Sequence, residues 1–133
     1  MTKIQIIIPV KNPKVAMKYY CEIMGFTKNE GLLFLPGHTE EVALRMMLAG
    51  EDTHHPHREE KLPIFSYMVE KNFLSYCFEL HQRGAMFESA GSHPGGFYAY
   101  VNDPEGNQFE ICCESFEEDE NVDTEAMPFF FDH

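Results

Sequence analysis

The chain has 133 residues, enough for one domain with a real core and too few for two independent ones. Hydrophobic residues make up 44% of it and aromatics 14%, which excludes a disordered chain. Twenty-two acidic residues against ten basic ones leave a formal charge of -12, which disfavours nucleic acid and anionic membrane as partners and favours a cationic ligand.

Lys3 to Val10 is rich in β-branched residues and reads as a strand, with Gln5 as a polar residue inside it. Asn12 and Pro13 suit the cap and first position of a helix whose stripe is Val15, Tyr19 and Ile23, with Ala16, Tyr20 and Met24 beside it. Gly25 ends that helix. Three strands are then predicted at 26–30, 32–35 and 42–48, punctuated by Gly31 and Pro36-Gly37. Residues 51–61 are polar and aperiodic and read as a linker. A further strand at 63–69 precedes a helix capped by Asn72, with Phe73, Cys77 and Leu80 as its stripe and Gly84 as its stop. Residues 85–89 read as a strand, followed by a Gly-Ser-His-Pro-Gly-Gly loop.

The stretch from Phe97 to Cys113 reads as a β-hairpin. Phe97, Ala99 and Val101 alternate with Tyr98 and Tyr100, and Phe109 and Ile111 alternate with Glu110 and Cys112. Asp103-Pro104-Glu105-Gly106-Asn107 supplies the turn. This register puts Glu110 on the opposite face from Phe109 and Ile111. From residue 117 the chain is an acidic run with an aromatic tip, Phe129 to Phe131. Those rings call for cover, on this domain, on a dimer partner or over a cavity.

The order β-α-β-β-β therefore occurs twice. Val10 to Gly25 and Val69 to Gly84 have the same spacing, at an offset of 59. Neither half buries enough surface alone, so the fold class is α+β, two βαβββ modules whose curled sheets share an open cup. The expected division is one domain over 1–114, with modules at 1–50 and 62–114, and a tail at 115–133. The four cysteines form no CxxC pair and read as reduced thiols. No secretory leader and no apolar stretch of ~20 residues is visible, so a cytoplasmic location is expected.

Val10-x-Asn12, Tyr19-Tyr20, Met24-Gly25-Phe26, Arg83-Gly84-Ala85 and, most specifically, Val101 to Ile111 resemble the vicinal oxygen chelate superfamily of glyoxalases, bleomycin-resistance proteins and extradiol dioxygenases. The resemblance covers about residues 3 to 113. It implies a cup of paired βαβββ modules, a homodimer, and in metal-dependent members one divalent ion held by four side chains. By position Gln5 and Glu110 are the first and last ligands. Ile64 or Phe65, with Ser66 nearby, stands at a second position, and Arg45 or Met47 at another. Two ligands do not hold a catalytic ion. The resemblance thus favours a binder of a small organic molecule without a complete metal site. The alternative is a metal-dependent lyase, isomerase or dioxygenase using Zn, Ni, Mn or Fe.

Glu110 has two readings: an ion pair with Arg45 across the cup, or a base or ligand at its floor. Gln5 is a hydrogen-bonding wall residue or a ligand. His93, on a loop at the rim, is an acid–base group or a plain loop residue. Tyr67, Tyr98 and Tyr100 are expected to line the pocket. His54, His55 and His57 have metal-like composition without a scaffold, and read as solvated linker that captures zinc or nickel adventitiously.

Overall fold

The computed structural model describes residues 4–37, 42–48 and 62–131. The histidine cluster at 54–57 lies outside them.

β1 (Ile4–Val10) leads to Asn12, whose side chain accepts from Val15 N and caps α1 (Pro13–Lys18). The helix continues through Tyr19–Ile23 as a wider π turn, closed by Met24 N donating to Tyr19 O at 3.0 Å. This turn holds two neighbouring tyrosines inward together, Tyr19 at 4% and Tyr20 at 0% exposed. The apolar stripe is accordingly rotated from the expected one: Ala16, Tyr20 and Met24 are buried, and Val15 is exposed. Gly25, at φ +79°, ends the helix, as Gly84 at φ +107° ends its counterpart.

β2 (Thr27–Asn29), β3 (Leu32–Phe34) and β4 (Val42–Leu48) complete the first sheet, in the order β1-β4-β3-β2. β5 (Ser66–Met68), α2 (Phe73–Arg83), β6 (Met86–His93), β7 (Gly96–Asn102), β8 (Gln108–Cys113) and β9 (Phe130–Phe131) follow. The second sheet runs β5-β8-β7-β6-β9. Both sheets begin with a parallel pair, β1 with β4 and β5 with β8. One topology thus occurs twice, as the duplicated spacing predicts.

The connection between β6 and β7 differs from the sequence expectation. Gly91, Ser92 and His93 belong to β6 rather than to a loop, and only Pro94 and Gly95 turn the chain into β7. The glycines that suggest a loop serve close contacts instead. A Cβ at Gly96 would fall 1.9 Å from Cys113 O. One at Gly91 would fall 2.9 Å from both the Tyr98 hydroxyl and Phe131 O.

The modules interlock on their helix sides. Tyr20 and Phe26 from the first reach Phe109, and Phe26 also meets Phe65 and Tyr67 of the second. The β7–β8 turn reaches back to the first module. Asn107 Nδ2 donates to Pro9 O, Asn12 N donates to Glu105, and the Tyr20 hydroxyl donates to Asp103 Oδ2 at 2.8 Å.

The chain after β8 packs against the domain. Asn72 has φ +60° and makes no side-chain cap to its own helix. Instead Glu118 accepts from Leu74 N at the α2 N-terminus, and Asn72 and Asp119 exchange two hydrogen bonds. Part of the acidic run is therefore a helix cap. Burial pushes the Glu118 carboxyl above its usual range, a shift that the Leu74 N–H opposes. Beyond it Met127 is buried, Phe129 stacks on Phe87 at 4.3 Å, and β9 pairs with β6.

Candidate functional site

Alternation along the second sheet separates two faces. Phe97, Phe109 and Tyr67 point toward the helices: Phe73 of α2 stacks on Phe97, and the Tyr67 hydroxyl bonds Tyr76 at 2.7 Å. Their neighbours Tyr98, Tyr100, Glu110, Cys112, Ser66 and Met68 fall on the other, open face. Register aligns these side chains. Ser66 sits opposite Glu110, Glu110 opposite Tyr100, and Tyr100 opposite Ser89. The next row joins Met68, Cys112, Tyr98 and Gly91.

Glu110 is the ionisable centre of this face. Its Oε1 accepts from Ser66 Oγ at 2.6 Å, and Cys112 Sγ lies 3.7 Å from the same hydroxyl. The Tyr98 and Tyr100 rings lie 5.6 Å apart at 52°. Partial burial first, then the Glu110 charge, pushes the Tyr100 phenol upward, so it is a hydroxyl donor at neutral pH. The bare Cα of Gly91 leaves space for Tyr98 across β6. The arrangement offers one carboxylate, one phenol and a two-ring aromatic surface.

The remaining expected residues are placed as follows. Tyr67 is turned into the core, because an odd–even alternation centred on Glu110 leaves it on the helix side. His93 is exposed at the end of β6, where its Nδ1 accepts from Gly95 N at 3.1 Å. Gln5 and Arg45 lie on the first sheet, both exposed. Among the described residues no ion pair joins Arg45 to Glu110. Ser66 is the partner that sequence reasoning left unassigned. Its signal is the duplication offset, since Ser66 lies 59 residues after Ile7 and each pairs with the parallel last strand of its module.

That offset also tests a metal site. Ile7 pairs with Arg45 and Ser66 with Glu110, so Arg45 and Glu110 occupy equivalent positions in the two modules. Where one module presents a carboxylate, the other presents a guanidinium, which repels a dication. Among the described residues no three His, Cys, Asp or Glu side chains converge as a metal would require. The described residues do not fit a four-ligand divalent site.

Elsewhere, a shallow groove of about 560 Å³ runs along the outer side of α1, lined by Pro13, Lys14, Met17, Lys18, Cys21, Glu22 and Lys28. No described helix is long and apolar enough to cross a membrane.

A family model described as Glyoxalase/Bleomycin resistance protein/Dioxygenase superfamily matches residues 4–111. No curated protein matches the chain. Among solved structures, UcmS2 is similar at 19% identity and TM-score 0.69, covering 84% of this chain and 97% of its own. TnmS3, an antibiotic binding protein from Streptomyces sp. CB03234, is similar at 18% identity and TM-score 0.60, covering 86% and 97%. The fosfomycin resistance protein FosX from Listeria monocytogenes is similar at 12% identity and TM-score 0.61, covering 86% and 93%.

Proposed function

Because the chain belongs to the Glyoxalase/Bleomycin resistance protein/Dioxygenase superfamily, we propose that it binds a small organic molecule on the open face of its second sheet, within a cup completed by a second copy of the chain. The observation that carries this reading is the row Ser66–Glu110–Tyr100 with Tyr98 beside it. A partly exposed carboxylate next to two tyrosine rings suits an aromatic ligand carrying an amine: the rings take the flat body and Glu110 takes the charge. The chain's charge of -12 favours the same class. Support for a homodimer comes from Ile7, Met47 and Met68, which are 44%, 46% and 56% exposed on the open faces of the two sheets. The four unpaired cysteines support a cytoplasmic location. The similarity to an antibiotic binding protein supports ligand capture as the activity.

Calorimetric titration with tryptamine and with neutral 3-methylindole tests the reading. Tryptamine is expected to bind, with Glu110→Gln weakening it by about tenfold and leaving 3-methylindole unchanged, as loss of one charged hydrogen bond requires. The double variant Tyr98→Ala, Tyr100→Ala weakens both probes. Equal affinity in wild type and the tyrosine double variant would sink the assignment to this face. Elemental analysis separates the metal-dependent alternative, in which Gln5 and Glu110 ligate Zn, Ni, Mn or Fe. With residues 51–61 replaced by a Gly/Ser linker, about one ion per chain, lost on Gln5→Ala or Glu110→Gln, would replace ligand capture with lyase, isomerase or dioxygenase chemistry.

A further inference from the structure

The groove on the outer side of α1 lies apart from the open face of the second sheet. We propose that it binds a small amphipathic anion, an apolar body ending in a carboxylate or sulfonate. This site is independent of the one proposed around Glu110 and takes the opposite charge.

The helix lays the groove out in two rows. Pro13, Met17 and Cys21 follow one another at four-residue spacing, and so do Lys14, Lys18 and Glu22. The first row is apolar and soft, with Cys21 Sγ 3.8 Å from Met17 Sδ. The π turn over Tyr19–Ile23 commits Tyr19 and Tyr20 to the core, and leaves Cys21 half-buried and Glu22 exposed at the groove. Lys28, exposed on β2, joins them. Burial pushes the Cys21 thiol up and the Lys28 charge opposes that shift. Cys21 is therefore a neutral thiol at neutral pH and part of the apolar strip.

Charge selects the occupant. Three of the chain's ten basic residues meet at this groove, in a chain of formal charge -12. Glu22 is the one carboxylate among its lining residues, so the groove stays positive. Among the described residues, no carboxylate lies within ion-pair distance of Lys14, Lys18 or Lys28. Lysine stems extend the apolar strip while their ammonium groups stand at its edge. A volume of about 560 Å³ suits a small molecule. An apolar strip edged by cations recognises an apolar body with a terminal anion. An amine suited to Glu110 is repelled here, and an anion suited to these lysines is repelled there.

Alkylation of the full chain by iodoacetamide, followed by peptide mass mapping, reads both sites at once. Cys21 reports the α1 groove and Cys112 the open face. Octanoate is the probe and octylamine its charge-reversed control. Octanoate at about 10 mM is expected to slow Cys21 alkylation about tenfold, as a dissociation constant of about 1 mM gives, and to leave Cys112 unchanged. Octylamine is expected to leave Cys21 unchanged. In the triple variant Lys14→Gln, Lys18→Gln, Lys28→Gln the slowing should drop to about twofold, because three exposed charge contacts are lost. Each rate is taken relative to the same variant without ligand, since the Lys28 charge itself acts on the thiol. The three lysines are exposed, so the variant is expected to fold, which circular dichroism checks. Should it not fold, Met17→Glu, which sets a carboxylate in the apolar row, is expected to abolish the slowing instead. Unslowed Cys21 at about 10 mM octanoate, equal slowing by octylamine, or slowing undiminished in the folded variant overturns this site and leaves the open-face reading standing. Octanoate that slows Cys112 and not Cys21 overturns this site and also the cationic ligand proposed for the open face.

Discussion

Tyr19 and Tyr20 are neighbours in the chain and both buried, and their hydroxyls explain how that is tolerated. Tyr19 donates to Asn102 O and accepts from Met86 N, while Tyr20 donates to the buried Asp103. Burial, the leading cause in both, pushes Tyr19 up to about 12 and Tyr20 higher still. A phenol raised in the folded state contributes stability that is complete below its unfolded value of 10.0 and lost as pH rises through the folded value. Stability is therefore expected to hold up to about pH 10 and then fall, with the tyrosinate absorbance of the buried pair, identified by its loss in Tyr20→Phe, appearing together with unfolding. Tyr20→Phe should cost about 1–3 kcal/mol in urea unfolding, because Asp103 loses a donor in a buried site. A tyrosinate signal that is lost in Tyr20→Phe, and that titrates while the wild type is still folded, would contradict this account. Sequence alone marks Asp103 as a turn former, and that holds: its Oδ1 accepts from Glu105 N and Asn107 N. Its second oxygen, which binds the other module, has no local signal.

At the scale of elements, α2 and β9 show how the C-terminal segment belongs to the fold. The α2 N-terminus lacks a cap of its own because Asn72 takes a left-handed conformation that turns its side chain to Asp119. Glu118 supplies the missing acceptor. Further on, Met127 is buried and Phe129 packs against Phe87 and His81. A chain ending after Glu120 keeps the cap and loses β9. It should be less stable by about 3 kcal/mol or more, from two large side chains returned to water, measured by urea unfolding. An unchanged midpoint would mean that the strand adds nothing to the sheet. The sequence announces three adjacent phenylalanines that need cover, and cannot say what covers them, since parallel pairing with β6 is a contact 40 residues away with no turn to specify it.

For the whole molecule, the two modules share one core. Rings from the first module fill the helix side of the second sheet, where Tyr20 and Phe26 lie against Phe109. A fragment of residues 62–131 would expose Phe65, Phe109 and Tyr67 on that side, and should be unfolded by circular dichroism and recover structure only when residues 1–50 are added. A fragment with a cooperative melt of its own would refute this dependence.

The sequence by itself determined the duplicated βαβββ order, because helix stops at Gly25 and Gly84 and strand alternation are local, chain-encoded signals. It also placed Glu110, Tyr98 and Tyr100 on one face, because a period of two admits no other arrangement once the hairpin turn fixes the register. Tertiary structure alone decided the rest. It gave Glu110 to Ser66, turned Tyr67 inward, drew Gly91 to His93 into a strand, and set the C-terminal segment against β6. Each of these depends on which distant strand lies alongside, and that is settled by the shared burial of many side chains at once rather than by any residue and its neighbours in sequence.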